Sequence, residues 1–288
     1  MEVIRKRILV ETEYLGANVS CIHTEKGLVL IDSPMIPQDA KEWAAKVRDA
    51  TGKDIAYLIS TDHHFDHIMG NAFLTDRVIS HATAARGIGY LGRNREDMKQ
   101  MVRKSFPDII DGLDEEIDRL DVTLPMITFT DNLTLQMGDA TIKIHFVGGH
   151  SPGTVLIHLV EDRVIFTGDN VETYFPFLGQ VHISSWLKAL KKMAEMDIDT
   201  VVPGHGLVGG KEMVEKYISF IRDLEEEVAH FRKSALHVEA MAQHTKLIDY
   251  FPYPEHEPDK VLRRRESNRE QYAMAARHIL AAGNSEQG

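Results

Sequence analysis

The stretch that decides the fold is Thr61-Asp62-His63-His64-Phe65-Asp66-His67, in which three histidines and two aspartates occupy six consecutive positions. Residues 55–60, directly before it, are apolar and partly β-branched, which is typical of a buried strand. The polar cluster therefore begins where a strand ends, and α/β folds often carry their chemistry there. Imidazoles and carboxylates crowded on one turn would repel or desolvate one another unless a divalent metal ion shared them. We interpret the stretch as a metal-binding loop; the alternative is a polar loop that only caps the next segment.

Three further loops carry candidate ligands, each directly after a predicted strand. Gly148-Gly149-His150-Ser151-Pro152-Gly153 follows a strand near 141–147, Thr167-Gly168-Asp169 follows 164–166, and Pro203-Gly204-His205-Gly206 follows 201–202. The paired glycines before His150 let the backbone approach a neighbouring group closely. One such loop would be a weak signal, because an aspartate after a strand is common. Four loops from one sheet system can converge on one edge, and together they predict a metal site.

The order of the predicted elements indicates an α/β protein. Strands near 4–10, 19–23 and 27–31 precede an amphipathic helix at 37–49 and the strand that enters the metal loop. Residues 82–122 carry a basic and then an acidic stretch without metal-ligand spacing. We predict there a helical insertion that shapes or covers a pocket, with a solvated helix pair as the alternative. The chain from 211 to 288 is predicted to be helical. We therefore predict a domain over 1–210 and a helical C-terminal extension over 211–288.

Several polar residues allow more than one interpretation. Asp32, at the end of the strand at 27–31, either supports the metal site from behind or hydrogen-bonds its own turn. His81 is either functional or marks the start of a helix. His230, His237 and His244 recur every seven residues without a carboxylate companion at a constant offset. We interpret these three as a half-exposed helix face rather than as a metal-binding stripe.

The amino-acid composition indicates which kinds of binding partner and which cellular compartment to expect. The net charge of −11 would repel phosphate backbones, so we expect no nucleic-acid partner unless a locally basic groove overrides the average. Cys21 is the only cysteine, which excludes an intrachain disulfide and fits a reducing cytoplasm. No run approaches the roughly 18 apolar residues of a membrane helix, and the first ten residues lack the apolar core of a signal peptide. We expect a cytoplasmic protein that is not associated with membranes.

Taken in order, the four loops resemble the metallo-β-lactamase superfamily over about residues 4–210. The first loop is similar to the glyoxalase II-like branch, whose pattern reads Thr-His-His-His-x-Asp-His and often continues to Gly-Asn, as in Gly70-Asn71. The second half of a glyoxalase II is not recognisable. The resemblance implies an αββα sandwich with a metal site on one edge, usually binuclear and here expected to hold two divalent ions such as zinc. It further implies that one ion is held by Asp62, His64 and His150, that the other is held by Asp66, His67 and His205, and that Asp169 bridges them.

The sequence departs from the family pattern at Asp62, where the family has a histidine. Three aspartates and a bridging hydroxide would offset the four positive charges of two divalent ions, whereas a histidine at 62 would leave one positive charge. The centre should therefore be a weaker Lewis acid and suit manganese or iron better. Alternatively, Asp62 does not ligate and the first site is weak or empty. His63 is a possible substitute, but alternation along an extended loop points it away from the side of His64.

We therefore expect a metal-dependent hydrolase that uses metal-activated water on a small organic substrate such as an ester, lactone, thioester or lactam. The resemblance implies that Asp66 also orients that water and is thus catalytic. Three alternatives remain at this point: a nuclease, disfavoured by the acidic charge; an iron-dependent redox enzyme, favoured by Asp62; and a metal-free binding module. The C-terminal helices could cover the active site or pair two copies of the chain as a homodimer.

Overall fold

Seven strands form the first sheet of the protein, which we describe from a computed structural model. The strands are adjacent in chain order: β1 Glu2–Ile4, β2 Ile8–Glu11, β3 Val19–Thr24, β4 Gly27–Ile31, β5 Ile55–Ile59, β6 Val78–His81 and β7 Ile127–Phe129. Strands β1 to β4 pair antiparallel, whereas β4 to β7 pair in parallel. Parallel neighbours end at the same edge of a sheet, so the loops after β4, β5 and β6 emerge together. This brings Asp32 and the loop that begins at Thr61 to one edge.

The structure describes residues 1–107, 110–179, 182–234, 237–251 and 258–285. The chain divides into two compact units. The first consists of Met1–Phe146 and Gly153–Gly168, and the second of Val147–Pro152 and Asp169–Gly288. The domain boundary predicted at residue 210 lies inside the second unit and stays a prediction.

Helix α1, Pro37–Thr51, connects β4 to β5 and buries its apolar face against the first sheet. That face has the predicted helical spacing and consists of Ala40, Trp43, Ala44 and Val47. These side chains share one apolar cluster with strand residues such as Leu30 and Leu58. The helix ends at Gly52, whose left-handed conformation (φ 67°) costs glycine little. The amphipathic pattern of this segment therefore gave the correct helix and the correct buried face.

Among the described residues of the first unit, five helices follow β5: α2 Phe65–Ile68, α3 Asn71–Leu74, α4 Ala82–Arg93, α5 Arg95–Ser105 and α6 Ile110–Arg119. Three of them, α4 to α6, occupy the region predicted as a helical insertion. Their apolar residues form a cluster with Phe65 and Ile68 of α2. His81 caps α4, because its side chain accepts a hydrogen bond from the backbone N–H of Thr83. The helix-start interpretation of His81 is therefore confirmed.

Four strands of the second sheet lie in the first unit and pair antiparallel in the order β11-β10-β9-β8. They are β8 Asn132–Gln136, β9 Thr141–Phe146, β10 Val155–Leu159 and β11 Val164–Phe166. Strand β11 is buried along its whole length, whereas β8 alternates between exposed and half-buried residues. Two sheets with flanking helices confirm the predicted α/β class. Strand β9 leads into the loop that carries His150, and β11 leads into Asp169.

The second unit is mainly helical. Its elements are α7 Ile183–Glu195, strand β12 Thr200–Val202, α8 Glu212–Lys233, α9 Val238–His244 and α10 Pro258–Ser285. An aromatic cluster joins α8 to the segments around it and contains Phe175, Tyr217, Phe220, Tyr250 and Phe251. Among the residues that the structure describes, none of the helices combines the length and the apolarity needed to cross a bilayer.

The interpretation of His230, His237 and His244 as one helix face is wrong. His230 lies on α8, His237 is the N-cap of α9 and His244 is the last residue of α9. A spacing of seven residues places side chains on one face only where the helix is continuous, and here the chain leaves α8 before it starts α9. All three side chains are exposed, and within the described part of the chain no group of potential metal ligands contains any of them.

Candidate metal centre

In the first unit, a buried network around Asp32 holds the first loop. The Asp32 carboxylate accepts hydrogen bonds from the backbone N–H of Thr61 (2.7 Å) and from its hydroxyl (2.6 Å). His67 Nδ1 lies 2.9 Å from Asp32 Oδ2. A carboxylate can only accept, so Nδ1 carries the proton and Nε2 presents its lone pair. Metal-ligating histidines are commonly oriented by a carboxylate in this way. Of the two interpretations of Asp32, the structure therefore favours support of a metal ligand.

The backbone around His67 is fixed by the turn that follows β4. The N–H and hydroxyl of Ser33 both donate to the carbonyl oxygen of His67, each at 3.0 Å. The Ser33 hydroxyl in turn accepts from the N–H of Gly70 at 3.1 Å. A Cβ at Gly70 would lie 2.3 Å from the carbonyl oxygen of Pro34, so the two turns approach more closely than a side chain would allow. Both the ring and the main chain of His67 are thus held in place.

Asp62 is fully buried, and its two oxygens have different surroundings. Oδ2 accepts a hydrogen bond from the Thr154 hydroxyl at 2.9 Å. Oδ1 accepts from the backbone N–H of His63, and His63 Nδ1 lies 2.8 Å from the same oxygen. His64 Nδ1 lies 3.6 Å from Oδ1. The structure therefore places the His64 imidazole and the Asp62 carboxylate side by side.

His63 supports Asp62 from behind. Burial lowers the pKa of His63, but the hydrogen bond to Asp62 and the charge of its carboxylate outweigh burial, so the pKa is raised overall. The ring packs against α4, where a Cβ at Gly87 would lie 2.3 Å from the His63 ring. His63 thus contacts a candidate ligand rather than replacing it.

Asp66 and His67 occupy the single turn of α2, and both are buried. His67 Nε2 and Asp66 Oδ2 are 4.0 Å apart. The four candidate donors of the first unit, Asp62, His64, Asp66 and His67, therefore come from one strand end and one helical turn. The strand β5 and the Asp32 network position them.

In the second unit, Asn170 holds the loop that carries His150. Its side-chain oxygen accepts from the backbone N–H of His150, and its amide donates to the carbonyl oxygen of Gly148, both at 2.9 Å. Gly149 adopts a φ of 103°, and a Cβ there would lie 2.3 Å from the Asn170 oxygen. Trp186 of α7 donates from Nε1 to the carbonyl oxygen of Asn170 at 2.9 Å. Of the two glycines predicted to allow a close approach, Gly149 makes one, toward Asn170.

Asp169 lies between two imidazoles of the second unit. Its Oδ2 is 3.4 Å from His150 Nε2, and its Oδ1 is 3.5 Å from His205 Nε2. His205 is held by two main-chain hydrogen bonds at 3.0 Å, from Gly204 N–H to Val171 O and from Thr173 N–H to His205 O. The structure thus brings the three predicted ligands of this unit together, with one carboxylate oxygen facing each ring.

Glu172 is a candidate that sequence reasoning missed. One donor atom from each of His150, Asp169 and Glu172 lies within 4.8 Å of the others, and all three residues are buried. Glu172 lies beyond Thr167-Gly168-Asp169, the loop that directly follows β11, so the rule that found the other ligands did not select it. The only sequence feature that could have pointed to Glu172 as a ligand was its position three residues after Asp169.

The loop at residues 149–153 also has the pattern Gly-x-Ser-x-Gly, which in some hydrolases marks a nucleophilic serine. That role requires a sharp turn between a strand and a helix. Here Ser151 lies in a turn between two strands, β9 and β10. The local fold therefore does not support a nucleophile at Ser151.

The donor sets suit a transition-metal ion or zinc. Each unit combines neutral imidazole nitrogens with carboxylate oxygens, which is the donor chemistry of zinc, iron and manganese sites. A buried carboxylate such as Asp169 is costly without a compensating positive charge. His67 is oriented by Asp32 as a metal-ligating histidine commonly is by a carboxylate. The residues present thus fit a metal centre in both composition and orientation.

The chain belongs to the metallo-β-lactamase superfamily, whose family model matches residues 13–205. The members of this superfamily that are similar to the chain are named as hydrolases, and the chain is a hydrolase of the same superfamily. An acyl-coenzyme A thioesterase of Bos taurus is 24% identical over 226 residues and covers 70% of this chain and 79% of the thioesterase. A type 2 metallo-β-lactamase of a Bacillus species is 26% identical over 226 residues, with coverages of 73% and 77%.

A linear primary-alkylsulfatase of a Pseudomonas species is 23% identical over 277 residues and covers 81% of this chain. The chain spans about half the length of that relative, 51%. Among solved structures, a sec-alkylsulfatase from Pseudomonas sp. matches with a TM-score of 0.70 at 16% identity, over 97% of this chain and 49% of that chain. A metallo-β-lactamase from Pontibacter korlensis matches with a TM-score of 0.61 at 17% identity, over 77% and 97%. These likenesses confirm the predicted metallo-β-lactamase fold.

Proposed function

We propose that the two donor sets hold one binuclear metal centre that hydrolyses a small organic substrate with activated water. The observation that carries this proposal is the position of Asp169, whose two oxygens each face a different imidazole, at 3.4 and 3.5 Å. A carboxylate placed in this way is suited to bridge two ions. Membership of the superfamily supports the same assignment.

In this proposal, Asp62, His64 and His150 hold one ion, and Asp66, His67 and His205 hold the other. When bound, such ions lower the pKa of water toward neutrality and polarise the scissile group. Asp66 is also proposed to accept a hydrogen bond from the attacking water and so to orient it. Asp32 keeps the Nε2 lone pair of His67 available, and Asn170 fixes the loop of His150.

The nature of the metal is a separate part of the proposal. Asp62 adds a negative charge where the superfamily pattern has a neutral histidine, so the centre suits manganese or iron as well as zinc. The proposed location is the reducing cytoplasm. It is consistent with Cys21, since burial raises the pKa of its thiol to about 12 and makes the thiol unreactive.

The relatives define the substrates to test. The thioesterase, alkylsulfatase and β-lactamase names describe those proteins, and each of them defines a class of bond to test here. The thioesterase is matched over 79% of its length and the alkylsulfatase over 51%. We therefore propose an acyl thioester as the first substrate to try, followed by an alkyl sulfate, a lactone and a β-lactam.

The test combines metal analysis with this substrate panel. Protein purified without chelator should contain close to two transition-metal ions per chain and should hydrolyse at least one member of the panel. Chelation should abolish hydrolysis, and zinc, manganese or iron should restore it. Asp169→Asn should lose both metal and activity, whereas Asp76→Asn, a change at an exposed position, should keep both. Metal-free protein that is fully active would refute the proposal.

A further inference from the structure

We propose that Glu172 is an additional protein ligand of the metal centre, on the side of His150 and Asp169. This inference rests on the proposed function and deepens it, because it adds a fourth carboxylate to the set. Glu172 is buried, with 8% of its surface exposed, and its donor atom lies within 4.8 Å of those of His150 and Asp169. Donor atoms that share one ion at bond lengths of about 2.1 Å lie roughly 3 to 4 Å apart. A separation of no more than 4.8 Å is therefore close to the spacing that one shared ion would require.

Charge gives the physical reason for a cation at this place. Asp169 and Glu172 are both buried carboxylates within a few ångströms of each other. Two negative charges in a desolvated site repel each other strongly unless a positive charge lies between them. A divalent ion supplies that charge, and the neighbouring imidazole of His150 supplies a third donor. Asp62, Asp66, Asp169 and Glu172 together carry four negative charges, which match the four positive charges of two divalent ions before any hydroxide is counted.

The main chain at Glu172 is held with the rigidity that a ligand needs. On either side of it, Val171 O and Thr173 N–H take part in the hydrogen bonds that tie this segment to the His205 loop. The N–H of Glu172 itself donates to the hydroxyl of Tyr217 at 3.0 Å. That hydroxyl donates in turn to the carbonyl oxygen of Tyr174 at 3.3 Å. Four hydrogen bonds thus fix a segment of four residues.

Tyr217 is a positioning residue in this arrangement. It lies on α8 and is almost fully buried, with 1% of its surface exposed. A tyrosine hydroxyl is protonated at neutral pH and offers one hydrogen to donate together with lone pairs that accept. It can therefore accept from Glu172 and donate to Tyr174 at the same time. The C-terminal helices thereby contribute to the placement of a proposed ligand.

The experiment compares Glu172→Gln with Glu195→Gln, a control at an exposed position on α7. Both variants of the full chain are stripped of metal and titrated with Co(II) against a competing chelator, and the visible absorption of bound Co(II) is recorded. Glutamine keeps the size of the side chain but not its charge. We expect Glu172→Gln to bind Co(II) at least about tenfold more weakly and with an altered absorption spectrum. Glu195→Gln should match the unmodified protein in both measurements.

The outcomes separate this inference from the proposed function. If the unmodified chain binds no Co(II), the proposed metal centre itself is refuted. If it binds and Glu172→Gln binds equally well, only the role of Glu172 is refuted. Weaker binding with an unchanged spectrum would also overturn the ligand role, because Glu172 would then act by orienting His150. If circular dichroism shows that Glu172→Gln does not fold, Glu172→Asp is measured in its place. Weaker Co(II) binding with a shifted absorption spectrum is then expected if Glu172 is a ligand. Unchanged binding and an unchanged spectrum would refute that role.

Discussion

Replacing Asp32 with asparagine tests how the first loop prepares a metal ligand. Asp32 has a left-handed backbone (φ 55°), which asparagine tolerates as readily as aspartate, so the substitution adds no backbone strain. The amide oxygen can still accept from the backbone N–H of Thr61. The amide nitrogen, however, replaces the oxygen that faces the Thr61 hydroxyl and His67 Nδ1. The hydroxyl can turn and accept a hydrogen bond, but the imidazole has to change its tautomer.

The tautomer change determines the size of the effect. In Asp32→Asn, the new side-chain amide can donate to His67 Nδ1 only if that nitrogen is unprotonated, which moves the ring proton to Nε2. Nε2 then has no lone pair for a metal ion. Loss of a carboxylate that orients a ligating histidine typically weakens metal binding about 10- to 100-fold. This corresponds to about 1.4 to 2.8 kcal/mol of binding free energy. The metal-free protein should also unfold more easily, by about 1 to 3 kcal/mol, because a buried hydrogen-bond network is mismatched.

A competition titration with a chromophoric chelator measures the metal affinity, and urea denaturation of the metal-free protein measures the stability. Thr61→Val is the matched control. It removes the hydroxyl bond to Asp32 at 2.6 Å and the longer contact of that hydroxyl with His67 Nδ1 at 3.4 Å, but it leaves the contact of Asp32 with His67 at 2.9 Å. It should therefore lower stability without lowering metal affinity. Equal metal affinities for Asp32→Asn and Thr61→Val would refute the reasoning, because orientation of His67 by Asp32 would then not matter for binding.

Three further predictions concern the residues around the site. Asp62→His should bind zinc more tightly in the same titration. The metal-free variant should lose about 1 to 3 kcal/mol of unfolding free energy, because the donors around the carboxylate lose their acceptor. Unchanged metal content and affinity would mean that residue 62 is not a ligand. Gly87→Ala should lower the free energy of unfolding in urea by about 1 to 3 kcal/mol, because the new Cβ would collide with the ring of His63. The control is Gly112→Ala on α6, where the added Cβ meets open space, and it should raise the free energy of unfolding by up to about 1 kcal/mol. Asn170→Ala should lower the free energy of unfolding by about 2 to 4 kcal/mol, because it removes two buried hydrogen bonds from the His150 loop. A loss under about 0.5 kcal/mol would contradict the view that Asn170 holds this loop in place.

The candidate ligands were predictable from the sequence because a local rule places them. Each of them lies in a polar segment that begins directly after a strand, and the strands themselves are marked by apolar runs that the structure confirms. The predicted convergence of the four loops on one metal centre stays a prediction. The role of Asp32 was left open by the sequence, because its contact with His67 joins residues 35 positions apart.

The supporting residues of the second unit could not be found in this way. Helix α7 was not predicted, although its Trp186 donates to the residue that clamps the His150 loop. Tyr217 contacts Glu172 across 45 positions of sequence, and its place in an amphipathic helix suggests only burial. Such contacts depend on how helices pack, which a pattern of apolar residues does not specify. Local periodicity identifies elements, whereas the partners of a buried hydroxyl or amide depend on the tertiary structure.

The hydrogen bonds around Asp62 suit a carboxylate better than the histidine that the family pattern has at this position. A hydroxyl from Thr154 and a main-chain N–H from His63 both point hydrogens at its oxygens. A neutral histidine ring could accept at only one nitrogen, so these two donors match a carboxylate and not an imidazole. The same hydrogen bonds withdraw charge from the oxygens and moderate the donor strength of Asp62 toward a metal ion. The first loop is therefore built around a carboxylate, and such an oxygen donor would suit manganese or iron as well as zinc, as we propose.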